Sequence, residues 1–326
     1  MKIVDTQSHW YPKLLWETYL ENKTYPRCEK RDGKYFFEMK PNSWLPIPDS
    51  FIELDVQLEA MEAAGIDAMV SSSASFGDVD ALPVPRAREV ANAVNAERAA
   101  AEKEHPGRFY GLATIPWQDA DAAIEVLEEA VERQGLRGVL IHSNVEGGPV
   151  DAEHRRPIYR RIAELGVPLF LHPGRTVMEP ALRDYGLEYL VGYMFDTSIA
   201  ALRLVLSGIV QELPGLTVVH PHVGGTIPYL AARIDSSYSK PYSLGRTLPQ
   251  SPSEQLGSFY TDTMCQSEPS LRRGIEFYGL DHVLFGTDYP YFPHADAVAF
   301  ARGALSEAEF EAVAWSNPAR LLRLEA

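Results

Sequence analysis

The chain has 326 residues and a formal net charge of −15. That is long enough to bury a substantial core and too acidic for a nucleic-acid or anionic-membrane surface. Its two cysteines, Cys28 and Cys265, lie far apart with no CxxC spacing, which excludes a disulfide framework and a thiolate metal site. No stretch reads as long and apolar enough to cross a bilayer, and polar Asp5, Gln7 and Ser8 interrupt any signal-peptide core. The expectation is a mature chain that begins at Met1 and stays in the cytoplasm, with neither membrane nor nucleic acid as a partner.

Short runs rich in Val, Ile and Leu alternate with segments of helical period, the pattern of a parallel α/β protein. In chain order the strands are expected near 2–6, 67–72, 109–115, 136–142, 167–172, 216–221, 258–263 and 282–286. Between and after them, helices are expected at 53–64, 86–104, 119–134, 155–165, 197–212, 226–239 and 306–323. Gly65 and Gly166 close helices before strands, and Asp119 is placed to cap one. Eight strands, each followed by a helix or a long loop, predict a (β/α)8 TIM barrel forming a single domain over 1–326. Residues 13–52 break the repeat. Rich in aromatics and charges, with a turn at Asp32-Gly33, they read as an insertion after the first strand, a small hairpin over the barrel mouth. Trp10, Tyr11 and Trp44 beside it either stack on a planar substrate or simply pack the cap.

A barrel of this kind builds its site at the carboxyl ends of its strands. There the first strand supplies Asp5, Gln7 and His9 at alternate positions, which predicts one shared face. The fourth supplies His142, the fifth His172, the sixth His220 and His222 before Gly224 and Gly225, the seventh Asp262, and the eighth Asp288. Any one of these alone is as readily a hydrogen-bonded structural residue or a turn former. Their convergence on one rim points to a divalent cation held by imidazole nitrogen and carboxylate oxygen, with His172 and Asp288 completing a set begun on the first strand.

Nearly the whole chain resembles the amidohydrolase superfamily, and within it the branch of aminocarboxymuconate-semialdehyde decarboxylase and related aromatic-acid decarboxylases. The likeness is carried by "DTQSHWYP" (5–12), "HPGRFYGLATIPWQD" (105–119), "GVPLFLHPG" (166–174), "LPGLTVVHPHVGG" (213–225), "ARID" (232–235) and "LDHVLFGTDYPY" (280–291). The resemblance implies Gln7, His9, His172 and Asp288 as metal ligands, His222 as the catalytic histidine with Asp288 sharing proton transfer, and Arg233 as a contact for substrate carboxylate. Arg175, just past His172, is a second candidate for that contact. Dinuclear members carry a carboxylated lysine at the end of the fourth strand; "GVLIHSN" has none, so one metal ion, zinc or manganese, is expected.

Gln7 departs from the family, which has His or Glu there. Its neutral amide oxygen can coordinate, though as a harder and weaker donor than imidazole. Three readings stand: a ligand, a residue beside a three-ligand metal, or the mark of a lost metal. The activity implied is non-oxidative decarboxylation of an aromatic or unsaturated carboxylic acid by a homodimer. A metal-dependent hydrolase of an amide, lactone, ester or C–C bond, or a metal-free, catalytically silent ligand-binding barrel, are the alternatives.

Overall fold

A computed structural model describes residues 1–23, 25–40, 43–74, 79–178, 181–240 and 247–325. All eight expected strands form. They are β1 (Val4–His9), β5 (Ala68–Ser72), β6 (Phe109–Gly111), β7 (Val139–His142), β8 (Leu169–His172), β9 (Val218–Val219), β10 (Thr261–Asp262) and β11 (Val283–Leu284); the insertion contributes β2 (Arg27–Arg31), β3 (Lys34–Lys40) and β4 (Ser43–Pro46). The architecture is mixed α/β. Parallel pairing joins β1-β5-β6, β7-β8-β9 and β10-β11. Isolated parallel bridges run from Ala113 to Val139, from Val219 to Tyr260 and from Ser8 to Tyr289, the last bringing the final strand back beside the first.

Alternation along these strands sorts the core. On β8, Leu169 and Leu171 join the large cluster shared with the helices, whereas Phe170 joins a separate cluster with Val4, Val70, Leu112, Leu140, Val219 and Leu284, drawn from strands throughout the set. Two residues beyond Phe170 on the same face stands His172, at the strand's open end.

The helices follow the expected caps. Asp119 accepts from the Ala122 amide at 2.9 Å, and Gly166 ends helix Arg156–Leu165 in the left-handed conformation, φ 64°. Helices Glu268–Tyr278 and His294–Ala304 were not expected from the sequence. The first holds Gly274, where a Cβ would lie 2.2 Å from Val223 Cγ1, so the glycine that weakens the helical signal is required by packing.

Two expectations need correction. The insertion is a helix (Lys13–Leu20) and a three-stranded antiparallel sheet, rather than a hairpin; residues 24 and 41–42 of it lie outside the described residues. Trp10 and Tyr11 pack it down: the Trp10 indole donates to Ile52 O at 2.8 Å and Tyr11 stacks on Phe51, while Trp44 lies against the guanidinium groups of Arg27 and Arg31. Secondly, Glu188–Leu206 is one helix long and apolar enough to span a bilayer, with mean hydropathy 1.3 over its apolar window. Asp196 interrupts its apolar run in the sequence. That carboxylate is buried and accepts from Ser143 Oγ at 2.5 Å and Asn144 Nδ2 at 3.2 Å, bonds that fasten the helix to the strand-end loops of this domain.

Candidate active site

Asp288 stands at the centre of the site. Its backbone turns left-handed, φ 59°, a conformation few residues other than glycine, Asn and Asp adopt, and its amide donates to Gln7 O at 2.8 Å. Around its carboxylate, His9 Nε2 lies 3.0 Å from Oδ1, His172 Nε2 3.6 Å from Oδ1 and His222 Nε2 3.6 Å from Oδ2. Gln7 Nε2 donates to Oδ1 at 3.3 Å and lies 3.2 Å from His222 Nε2. Gln7, His9, His172, His222 and Asp288 are therefore gathered at one point.

Each is held from behind. His9 Nδ1 pairs with Ser72 Oγ at 3.0 Å, and His172 Nδ1 faces Pro173 O at 3.0 Å, so both rings present Nε2 inward. His222 opens a turn in which four successive residues, His222 to Gly225, have positive φ. Glycine is required in its second half: a Cβ on Gly224 would overlap the Tyr278 hydroxyl, and one on Gly225 would lie 2.6 Å from Ser198 Oγ. Asp262 fixes the turn by accepting from the amides of His222 (2.9 Å) and Met264 (3.0 Å).

Asp5 does not share the face of Gln7 and His9. The β1–β5 register shifts between Asp5 and Ser8, breaking the period of two. Asp5 instead accepts from the Ser8 and Thr287 hydroxyls and from the amides of Gln7 and Thr287, a buried clamp between β1 and the segment after β11. His142 and His220 also stay outside the cluster. His220 is buried with its Nδ1 3.4 Å from the Tyr278 hydroxyl.

Arg233 and Arg175 are exposed, and neither lines the cavity over the cluster. In helix Ile227–Tyr238 the buried face carries Ile227, Pro228 and Ala231, so Arg233, two residues on, points the other way.

Burial would raise the Asp288 carboxyl, but the three imidazoles around it prevail and hold it well below the usual range. Burial likewise pulls His222 down, and the neighbouring Asp288 and Asp262 charges reverse this to a net rise. His9 is lowered to about 4 by burial and by His172. Asp262, buried, is raised to about 6.

The donor set fits one divalent cation. Ligand atoms of His9, His172 and Asp288 lie within 4.8 Å of one another, the His172 Nε2 and Gln7 Oε1 atoms are buried without hydrogen-bond partners, and two imidazoles with one carboxylate suit zinc or manganese.

Above the cluster opens a cavity of about 410 Å³, floored by His172, His222 and Asp288. Its walls come from Tyr189, Leu190, Tyr193 and Met194, from Met264 to Gln266, and from Tyr291 with Phe292. None of these wall residues was singled out from sequence, since they lie on loops and a helix start where no period marks them.

A family profile described as Amidohydrolase matches residues 4–324. The chain is 31% identical over 267 residues to a 2-amino-3-carboxymuconate-6-semialdehyde decarboxylase of Dictyostelium discoideum, covering 80% of this chain and 70% of that one. It is 31% identical over 297 residues to a gamma-resorcylate decarboxylase of Rhodococcus jostii, covering 83% and 88%. Among solved structures, a 5-carboxyvanillate decarboxylase from Sphingomonas paucimobilis superposes with TM-score 0.88 at 25% identity, covering 99% of both chains.

Proposed function

The chain belongs to the amidohydrolase family, and from that premise we propose that it is a metal-dependent non-oxidative decarboxylase, a carboxy-lyase of an aromatic carboxylic acid. The observation that carries the reading is the buried His9–His172–Asp288 cluster with His222 at its edge, flooring a cavity whose walls are largely apolar and aromatic. The decarboxylase relatives support the choice of reaction.

In this reading His9, His172 and Asp288 hold the cation, and Gln7, whose amide nitrogen faces Asp288 and His222, would add Oε1 as the fourth donor with its amide turned over. When bound, a divalent cation supplies fixed positive charge beside the substrate's carboxylate. The chain's own residues do the rest. Aromatic walls orient the ring so that the bond to the carboxylate stands over the floor, and they exclude water from the carbon that becomes electron-rich. His222, whose Nε2 faces Asp288, delivers a proton to that carbon as the carbon–carbon bond breaks and carbon dioxide leaves. Asp262 positions His222 through the turn, and Asp288 faces its Nε2 at 3.6 Å.

The reading includes a (β/α)8 barrel over 1–326 as one domain with 13–52 inserted, supported by the bridges between the sheets and by the core cluster drawn from strands throughout the set. It includes a homodimer, supported by the exposed apolar side chains of Val191, Phe195 and Ile199 on one helix. It includes a cytoplasmic location, supported by two free thiols.

The test is carbon dioxide release from a panel of hydroxybenzoates and unsaturated acids by the metal-supplemented protein. Release is expected; turnover of esters or lactones alone would make the protein a hydrolase, and turnover of nothing by a metal-free protein would make it a binding barrel. Metal content of the wild type beside Gln7→His tests the fourth donor. Comparable binding in both is expected, and uptake by the variant alone would remove Gln7 from the ligand set.

A further inference from the structure

Resting on the decarboxylase reading, we infer that Tyr193 and Tyr291 are a specificity-determining pair that reads one ring hydroxyl of the substrate. Tyr193 donates to that hydroxyl's oxygen, Tyr291 accepts its proton, and Tyr11, behind Tyr291, sets the polarity.

The polarity follows from counting protons. Tyr11 is fully buried, and its hydroxyl donates to Ala74 O, a carbonyl that can only accept. The Tyr291 hydroxyl lies 2.8 Å from the Tyr11 oxygen. A phenol carries one proton, and that of Tyr11 is engaged by the carbonyl, so Tyr291 is the donor in their pair. Burial holds the Tyr11 phenol well above the usual tyrosine range, which keeps its proton in place. Tyr291 lines the cavity over the cluster, and with its own proton turned to Tyr11 it offers a bound molecule an oxygen lone pair.

Tyr193 has the opposite polarity. It lines the same cavity, and its hydroxyl has no hydrogen-bond partner among the described residues. Burial raises this phenol well above the usual range too, and the nearby Tyr291 and Asp288 charges add to the rise, so Tyr193 keeps a proton to donate within reach of Tyr291 and the floor. Val191 and Phe195, two residues to either side, are exposed and lie roughly half a turn away around the helix. A second copy seated on those two side chains therefore leaves Tyr193 facing the cavity.

A donor and an acceptor on one cavity select a group that is both. A phenolic hydroxyl accepts from Tyr193 and donates to Tyr291. A methoxy group can only accept and sets a methyl against the Tyr291 lone pair, while a ring hydrogen answers neither hydroxyl and leaves both without the water they held.

The experiment uses the metal-loaded full chain and benzoates bearing hydrogen, methoxy or hydroxyl at each ring position in turn. Dissociation constants are read by calorimetry, which reports even without turnover, and kcat/KM is read from carbon dioxide release. At one ring position the hydroxy acid is expected to bind about 10-fold more tightly than its methoxy and unsubstituted counterparts. Tyr193→Phe and Tyr291→Phe keep the ring and remove the hydroxyl alone, so each should erase that preference in a folded protein while the unsubstituted acid binds as before. Tyr11→Phe tests the polarity. Without its acceptor, Tyr291 turns its proton to the cavity, and the methoxy acid should gain on the hydroxy acid, a change of ranking that a merely loosened wall does not produce. Equal binding of hydroxy and methoxy acids to the wild type at every ring position would overturn the inference. So would folded Phe variants at 193 and 291 that keep the preference, or a folded Tyr11→Phe protein that ranks the acids as the wild type does. A hydroxyl preference erased by the variants, with no carbon dioxide released from any acid, would instead uphold the pair and sink the decarboxylase reading beneath it.

Discussion

The floor and the wall of the cavity are made by different means. The floor side chains project from strand ends and the segments just after them, are buried, and are each held by a second residue: Ser72 behind His9, Pro173 O behind His172, Asp262 behind His222. The wall comes from a helix start and two loops, and Leu190 at 68% and Tyr189 at 54% exposure are open to solvent. Rigid backing suits groups that must keep cation and proton geometry to a fraction of an ångström, whereas solvent-facing wall side chains such as Leu190 can be exchanged without touching those groups. Under the proposed function, the comparison assigns reaction type to the floor and substrate choice to the wall.

The largest expected effect would break that division if absent. Asp288→Asn removes the charge on which four side chains converge, and activity should fall on the order of 1000-fold for every substrate together with loss of bound metal, read by elemental analysis. Retained metal with full activity would move the chemistry off the floor. Next, His222→Gln should lower kcat by roughly 100-fold or more with metal content intact, since it removes a proton donor and no ligand. Equal loss of metal would instead make His222 a ligand. Sharpening the other side, Phe292→Ala should change KM by about 10-fold, in different directions for small and large acids, with kcat on the best substrate nearly kept. A uniform loss across the panel would mean that wall and floor are coupled.

The smallest effect concerns stability. Burial and the neighbouring His222 lower His220 to about 3, so the folded protein keeps it neutral where the unfolded chain, with a pKa near 6.5, would bind a proton. Its contribution is fully present above pH 6.5 and is lost as pH falls towards 3, at a slope of up to ~1.4 kcal/mol per pH unit. Denaturant titrations between pH 7 and 4 should show that slope, and His220→Gln should flatten it. An unchanged slope in the variant would assign the acid sensitivity to other buried groups.

The division also explains what the sequence could tell. Strands buried on both sides announce themselves as apolar runs, and the residues that end them are then located by simple counting, which is how His9, His172, His222 and Asp288 stand out together. Counting fails where the backbone departs from its period. The register shift in β1 separates Asp5 from Gln7 and His9, although strict alternation groups all three. It fails again where a residue serves packing over propensity, as Gly274 does against Val223, hiding a whole helix. Arg233, which the resemblance implies as a substrate contact, is carried by helical rotation to the outer face of its helix. The wall left no signature, because Leu190, Met264 and Phe292 become neighbours only through the tertiary fold.

The clamp at Asp5 ties the two halves of the site to the chain's order of synthesis. One carboxylate near the N-terminus is satisfied by the Thr287 amide and hydroxyl, 282 residues later in the chain. Gln7 and His9 are therefore made 281 and 279 residues before their partner Asp288. A chain lacking the segment after β11 has no Asp288 and so no assembled cluster, which makes the cluster itself a report that the first and last strands have met.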